Sequence, residues 1–176
     1  LAIDLFKANV QAICKQSPDK ELVNFLVTVA NQLDCFQSTN ICVASFCVNQ
    51  DLLSQWRSYG NNASGIAIGF LTEQLLSLSN SHSLRLWKCI YDWDQQNRLI
   101  GELLNQLIES YKIIPSADKS SLIPFFNTTF LSLAPVIKNR HFREENEWRL
   151  IIGPKKNTDP NWNARISNTR VSEYYK

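Results

Sequence analysis

The sequence contains no methionine and only two histidines, His82 and His141, among its 176 residues. Neither histidine stands beside a cysteine pair, and Cys14, Cys35, Cys42, Cys47 and Cys89 show no Cys-x-x-Cys spacing. A zinc or thioredoxin-type site is thereby excluded and no metal is expected. Five cysteines, set mostly inside apolar runs, read instead as reduced, packed thiols. Neither sign of charge dominates: 18 Lys+Arg against 16 Asp+Glu leave +2, too little to indicate nucleic-acid binding from charge. The longest apolar runs, Leu22 to Ala30 and Ile41 to Cys47, fall far short of the roughly 20 residues that span a bilayer, so no membrane partner is expected. At 44% hydrophobic and 19% charged, the composition excludes disorder, collagen and coiled coil and fits a single globular domain.

The missing methionine includes an initiator. The chain opens on Leu1-Ala2-Ile3-Asp4-Leu5-Phe6, which reads as the inside of an amphipathic helix, and closes on Val171-Ser172-Glu173-Tyr174-Tyr175-Lys176, a strand-like run. These ends predict one incomplete domain, over 1–176, cut from a longer protein. A leader with basic, apolar and small-residue regions does not stand at the start, so the expected location is cytoplasmic.

Ile3, Phe6, Val10 and Ile13 recur at helical spacing from Leu1 to about Lys15. Ser17-Pro18-Asp19-Lys20-Glu21 then caps a second helix, with proline at its first position, carrying Leu22, Phe25, Leu26, Val29 and Leu33. Together these form a helical lead-in over 1–36. Ile41 to Cys47 has the length and residue types of a buried strand. Asn49-Gln50-Asp51 caps a short helix to Ser58, Tyr59-Gly60-Asn61-Asn62 turns the chain, and Gly65 to Phe70 reads as a second strand. Thr72 to Ser79 suits a short helix and Leu84 to Tyr91 a third strand. A long helix follows from about Trp93 to Tyr111, with Leu99, Leu103, Leu107 and Ile108 on one face. Another runs from Lys119 to Ile137, interrupted near Pro124, and the helix pair is expected to cover a sheet. The strand Trp148 to Ile152 ends at Gly153-Pro154. Strands separated by helices of uneven length predict an α+β fold, with a mixed, mainly antiparallel sheet and flanking helices.

Two constellations carry chemistry. In Glu145-Asn146-Glu147-Trp148-Arg149, a strand period of two puts Glu145, Glu147 and Arg149 on one face, leaving Trp148, Leu150 and Ile152 to pack the core. The alternative is an exposed charged face or cross-strand ion pairs. The second constellation is Ser45-Phe46-Cys47, Asp51, Trp56-Arg57-Ser58-Tyr59-Gly60 and Gly65-Ile66-Ala67-Ile68-Gly69-Phe70. A short helix ending in Trp and Tyr beside a glycine turn provides an aromatic wall on which a planar ligand stacks, or a plug for the core. The basic run Lys138 to Arg143 is answered at once by Glu144, Glu145 and Glu147, as in a solvated charged loop.

In order, Ser45, Phe46, Asp51, Trp56, Tyr59, Gly60, Gly65, Gly69, Phe70, Tyr91, Asp92, Lys138, Phe142, Glu145, Glu147, Trp148, Arg149 and Leu150 form a spaced pattern. It resembles that of the bacterial DUF2971 family, a domain of unknown function, from about Ile41 to the end. Phe142 stands where many members carry Trp, and Cys47 where a second Ser is common. The family's opening Tyr-Lys-Tyr-like strand and Asn-Asp-Pro segment do not occur here.

The layout also resembles, more distantly, that of ADP-ribosyltransferases, in which a middle strand bears Ser-x-Ser and a late strand opens with Glu-x-Glu. That resemblance implies NAD as substrate and cleavage of its nicotinamide–ribose bond, with no metal. Glu147 would stabilise the oxocarbenium charge that develops on the ribose, and Glu145 would orient or deprotonate the acceptor. Ser45 would support Glu147 by hydrogen bonding. Trp56 or Tyr59, at the Gly60 turn, would stack on the nicotinamide, and Arg149 or Arg140 would meet the pyrophosphate. Two other readings stand beside it: a non-enzymatic binding or regulatory module of the same fold, and a hydrolase in which Glu145 and Glu147 bind a divalent metal with a third oxygen ligand.

Overall fold

A computed structural model describes residues 1–33, 39–60, 65–81, 84–156, 160–167 and 170–175. Cys35, His82 and the Asn61-Asn62 part of the expected turn lie outside them. Helices α1 (Ala2–Gln16) and α2 (Lys20–Gln32) open the chain, followed by β1 (Thr39–Cys47), α3 (Leu53–Tyr59), α4 (Thr72–Ser81) and β2 (Arg85–Lys88). Then come α5 (Trp93–Ile113), α6 (Leu122–Leu133), β3 (Glu147–Lys156) and the antiparallel pair β4 (Trp162–Ser167) and β5 (Arg170–Tyr175). The fold is α+β, as the sequence predicts.

The apolar stripes of α1, α2, α5 and α6 close on one another. Phe6 meets Phe126 and Phe130 at ring separations of 5.2 and 5.4 Å, within the range where tilted rings attract. Asp19, rather than Ser17, caps α2: its carboxylate accepts the backbone N–H of Glu21 and Leu22, both at 3.0 Å, so Pro18 precedes the cap. Asp92 caps α5 in the same way, accepting from Gln95 N–H at 2.9 Å. The expected helix from Lys119 to Ile137 is divided. A 3-10 turn, Ser116–Ser121, leads into α6, and another, Ala134–Val136, leaves it. Pro124 is tolerated because it falls in the first turn of α6, where backbone N–H groups have no helical acceptor anyway.

The three-stranded sheet has the order β1-β3-β2, with both pairings antiparallel. β3 is its centre and β1 is an edge strand, half-buried or exposed along its described side chains rather than buried as predicted. β3 continues through Gly153-Pro154 to Lys156 instead of ending there. Here β1 carries an irregularity between Asn40 and Cys42, and Gly153 takes φ 112°, with a Cβ at that position falling 2.7 Å from the Asn40 carbonyl oxygen. Glycine alone fits that close approach.

Two strand expectations are corrected. The third strand is confined to Arg85–Lys88. Gly65 to Phe70 joins no ladder, because β1 and β2 already occupy both edges of β3. α4 packs on β2, where the Ser79 hydroxyl donates to Leu84 O at 2.8 Å and accepts from Leu86 N–H at 3.3 Å.

Candidate functional site

The inward face of β3 is the one bearing Glu147, Arg149 and Ile151. Glu147 is 2% exposed and Ile151 0%, while Trp148, Leu150 and Ile152, the predicted core face, are only half-buried. The physical reason is α6 and the turn after it, which pack against β3 and supply Lys138 and a carbonyl as partners for the buried charges. A buried carboxylate is tolerable only when paired and hydrogen-bonded.

The approach of that turn follows from a short parallel bridge. Ile90 N–H donates to Val136 O at 2.8 Å, and Lys138 N–H donates to Ile90 O at 3.1 Å. Gln96, buried on α5, fastens the bridge: its side-chain amide donates to Ile90 O at 2.6 Å and to Lys138 O at 2.8 Å. Lys138 is thus placed with its ammonium donating to both Glu145 and Glu147. Arg149 donates from Nε to Glu147 at 2.7 Å and from Nη1 to the Pro135 carbonyl. The Glu147 backbone N–H donates to the Tyr91 hydroxyl at 3.0 Å, and Cys89 N–H donates to Glu147 O at 2.8 Å.

Glu145 reaches the cluster differently from its predicted place on the strand. It ends a 3-10 turn, Arg140–Glu145, and Asn146 in the left-handed region (φ 42°, ψ 52°) separates it from β3. Asparagine tolerates that conformation better than most residues. The Glu145–Glu147 proximity therefore comes from a shared Lys138 ammonium, not from strand period.

From β1, Ser45 pairs with Arg149 and Cys47 with Glu147 in the register. The solvent-exposed Ser45 hydroxyl lies near the Glu147 carboxylate and helps to lower its pKa. Burial opposes ionisation of Glu147, but hydrogen bonds from Arg149 and Lys138, helped by the nearby Ser45 hydroxyl, outweigh it and hold the pKa at about 2, against an ordinary 4.5. Burial pushes the Cys89 thiol up to about 11, and burial together with the Glu145 and Glu147 charges raises that of Cys47. Burial likewise raises Tyr91. Both thiols are thus held protonated and weakly nucleophilic.

The aromatic constellation is placed separately. Trp56 is half-buried and its indole N–H donates to Asp51 at 2.7 Å, so Asp51 ties down the helix side chain rather than capping α3, which starts after Leu52. Tyr59, on the last turn of α3, is 76% exposed. Gly60 has a packing requirement of its own, because a Cβ there would fall 2.3 Å from the Trp56 carbonyl oxygen. Arg140 is exposed at the start of the 3-10 turn that ends in Glu145. Arg149 is engaged by Glu147 and Pro135.

Lys138, expected in a solvated charged loop, is instead half-buried between Glu145 and Glu147, and neither Tyr91 nor Gln96 had been given a role. Lys138 and Tyr91 stood in the quoted pattern as polar positions. A glutamine among the apolar residues of a helix was the available signal for Gln96. Among the described residues, no group of three or more His, Cys, Asp or Glu side chains is gathered as metal ligands, and no helix is long and apolar enough to cross a membrane.

The sequence profile of a family described as "Protein of unknown function (DUF2971)" matches residues 55–150, from α3 into β3. The span includes Trp56, Tyr59, Lys138, Glu145, Glu147 and Arg149, with Ser45 lying before it. No curated protein and no solved structure matches the chain.

Proposed function

We propose that this chain, which belongs to the DUF2971 family of proteins of unknown function, uses NAD as a substrate and breaks its nicotinamide–ribose bond as an ADP-ribosyltransferase or NAD glycohydrolase. The observation that carries this reading is Glu147, buried and ionised on β3 between Lys138 and Arg149, next to the exposed edge strand that bears Ser45. A carboxylate with a pKa of about 2 is a poor general base at neutral pH but a constant negative charge, suited to stabilising a cationic transition state.

In the proposed reaction the C–N bond breaks with its electron pair leaving on neutral nicotinamide. The positive charge that develops on the ribose faces Glu147. An acceptor nucleophile, or water, bonds the anomeric carbon, and its proton passes to Glu145. Substrate enters over the open face of β1, and the Lys138 ammonium, which now bridges both carboxylates, is displaced by the cationic nicotinamide riboside. One positive charge then replaces another at Glu147. Trp56 or Tyr59 would stack on the nicotinamide and Arg140 would meet the pyrophosphate.

A second reading, a non-enzymatic recognition module of the same fold, is favoured by one observation: Lys138 and Arg149 already neutralise Glu147. A metal-dependent hydrolase needs a third oxygen ligand beside Glu145 and Glu147, and among the described residues no third His, Cys, Asp or Glu side chain is gathered with them.

The test is nicotinamide release from NAD by the full chain, with cell lysate as acceptor source, beside Glu147→Gln. Release by wild type and its loss by at least a hundredfold in the variant are expected, on the scale of removing one electrostatic stabiliser. Wild-type protein that neither releases nicotinamide nor binds NAD would transfer the assignment to the recognition module.

A further inference from the structure

Between Ser58 and Thr72 the sequence carries no charged residue. Within this stretch Gly65-Ile66-Ala67-Ile68-Gly69 reads the same in both directions about Ala67. Ile66 is 83% exposed and Ile68 69%, and Phe70, Leu71 and Tyr59 are each more than half exposed. No ladder includes Ile66 to Phe70, and among the described residues no backbone hydrogen bond engages them. Neither Gly65 nor Gly69 takes the left-handed conformation that would interrupt a strand, and the Gly65 N–H donates to Gly60 O at 2.9 Å. Phe70 anchors the segment to the sheet by an edge-on contact with Phe46 at 5.5 Å.

We propose that this segment is a dimerisation strand, and that a second copy of the chain pairs with it antiparallel about a two-fold axis at Ala67. Such an axis places Ile66 opposite Ile68 of the partner and Gly65 opposite the partner's Gly69. Opposite residues in an antiparallel pair share a face. The four isoleucines therefore form one apolar cluster, while glycines and Ala67 make the other face flat. A two-fold interface requires a self-complementary patch, which the palindrome supplies. Exposed strand edges in monomers are commonly protected by charge or proline; this segment has neither. On the apolar face Ile66, Ile68 and Phe70, at roughly 100 Å² each, offer about 300 Å² a copy, so two copies bury about 600 Å² of side chain beside the paired backbone, an interface of the small, concentration-dependent class.

The experiment is sedimentation velocity on the full chain across a wide concentration range, for wild type, Ile68→Lys and Ile113→Lys. A dimer mass is expected for wild type and for Ile113→Lys, which alters an exposed residue at the end of α5. Ile68→Lys brings like charges to the axis and should sediment as monomer. Ala67→Cys provides a second measurement: paired strands hold opposite Cα atoms about 4.5–5.5 Å apart, within disulfide reach, so mild oxidation should link two chains beyond the wild-type background. A wild-type monomer at every concentration, including one that instead takes up another protein, overturns the proposal. So does a dimer that Ile68→Lys leaves intact, or an Ala67→Cys protein that links no more than wild type.

Discussion

The helical core and Glu147 of β3 are both buried, yet the core is filled by Phe6, Phe126 and Phe130 while Glu147 sits between the partly exposed Lys138 and Arg149. In the helices, burial itself is favourable, at about 1.5–3 kcal/mol for each large apolar side chain. At β3, burial of the carboxylate is unfavourable and is offset only while Lys138 and Arg149 hold it. The core consequently depends on volume, and the β3 cluster on completeness.

The largest break expected in this comparison is Phe130→Ala. It removes a fully buried ring that contacts two others and should cost about 3–5 kcal/mol, read by denaturant unfolding. Volume governs here, so Phe130→Leu should recover much of the loss.

Next is Glu147→Gln, expected at about 3 kcal/mol because it leaves Arg149 without its carboxylate and Lys138 with Glu145 alone. Adding Lys138→Met should cost less than the sum of the two single changes, and strict additivity would show that the cluster is not coupled. The pH dependence separates the two regions further. Since the folded pKa of Glu147 lies below its ordinary value, its ionised form stabilises the fold above pH about 4.5, and that contribution disappears as pH falls towards about 2. Stability measured by denaturant unfolding should drop more steeply across this window, as pH falls, for wild type than for Glu147→Gln.

The smallest effect sharpens the contrast between buried and exposed ion pairs. Lys112 and Glu109 meet at 2.7 Å on α5 with both side chains more than half exposed, and Lys112→Ala should change stability by at most about 0.5 kcal/mol.

Local signals were enough where an element depends on its own residues. The apolar stripes of α1, α2 and α5 and the strand content of β1 and β3 were legible because spacing acts within a few residues, whereas the carboxyl caps Asp19 and Asp92 emerged only from the structure. Pairing choices were not. Gly65 to Phe70 has strand composition but no free edge of β3 to join. Which face of β3 turns inward was read wrongly, because hydrophobicity favours Trp148, Leu150 and Ile152, whereas Lys138 and Arg149 make Glu147 acceptable inside.

At the candidate site, Glu145, Glu147, Arg149 and Ser45 were recognisable by type and order. Their assembly depends on contacts between distant segments: Ser45 across the strand register, and Lys138 through the Ile90–Ile137 bridge that Gln96 fastens. The sequence by itself determined the fold class, the helices and the residues able to carry charge, since these follow from periodicity and side-chain chemistry. Only the tertiary structure decided which face of β3 is inside, how Glu145 reaches Glu147 through Lys138, and which apolar strand was left without a partner. Those outcomes rest on pairing between segments far apart in the chain, where the energy of one charge depends on whether its counter-charge arrives.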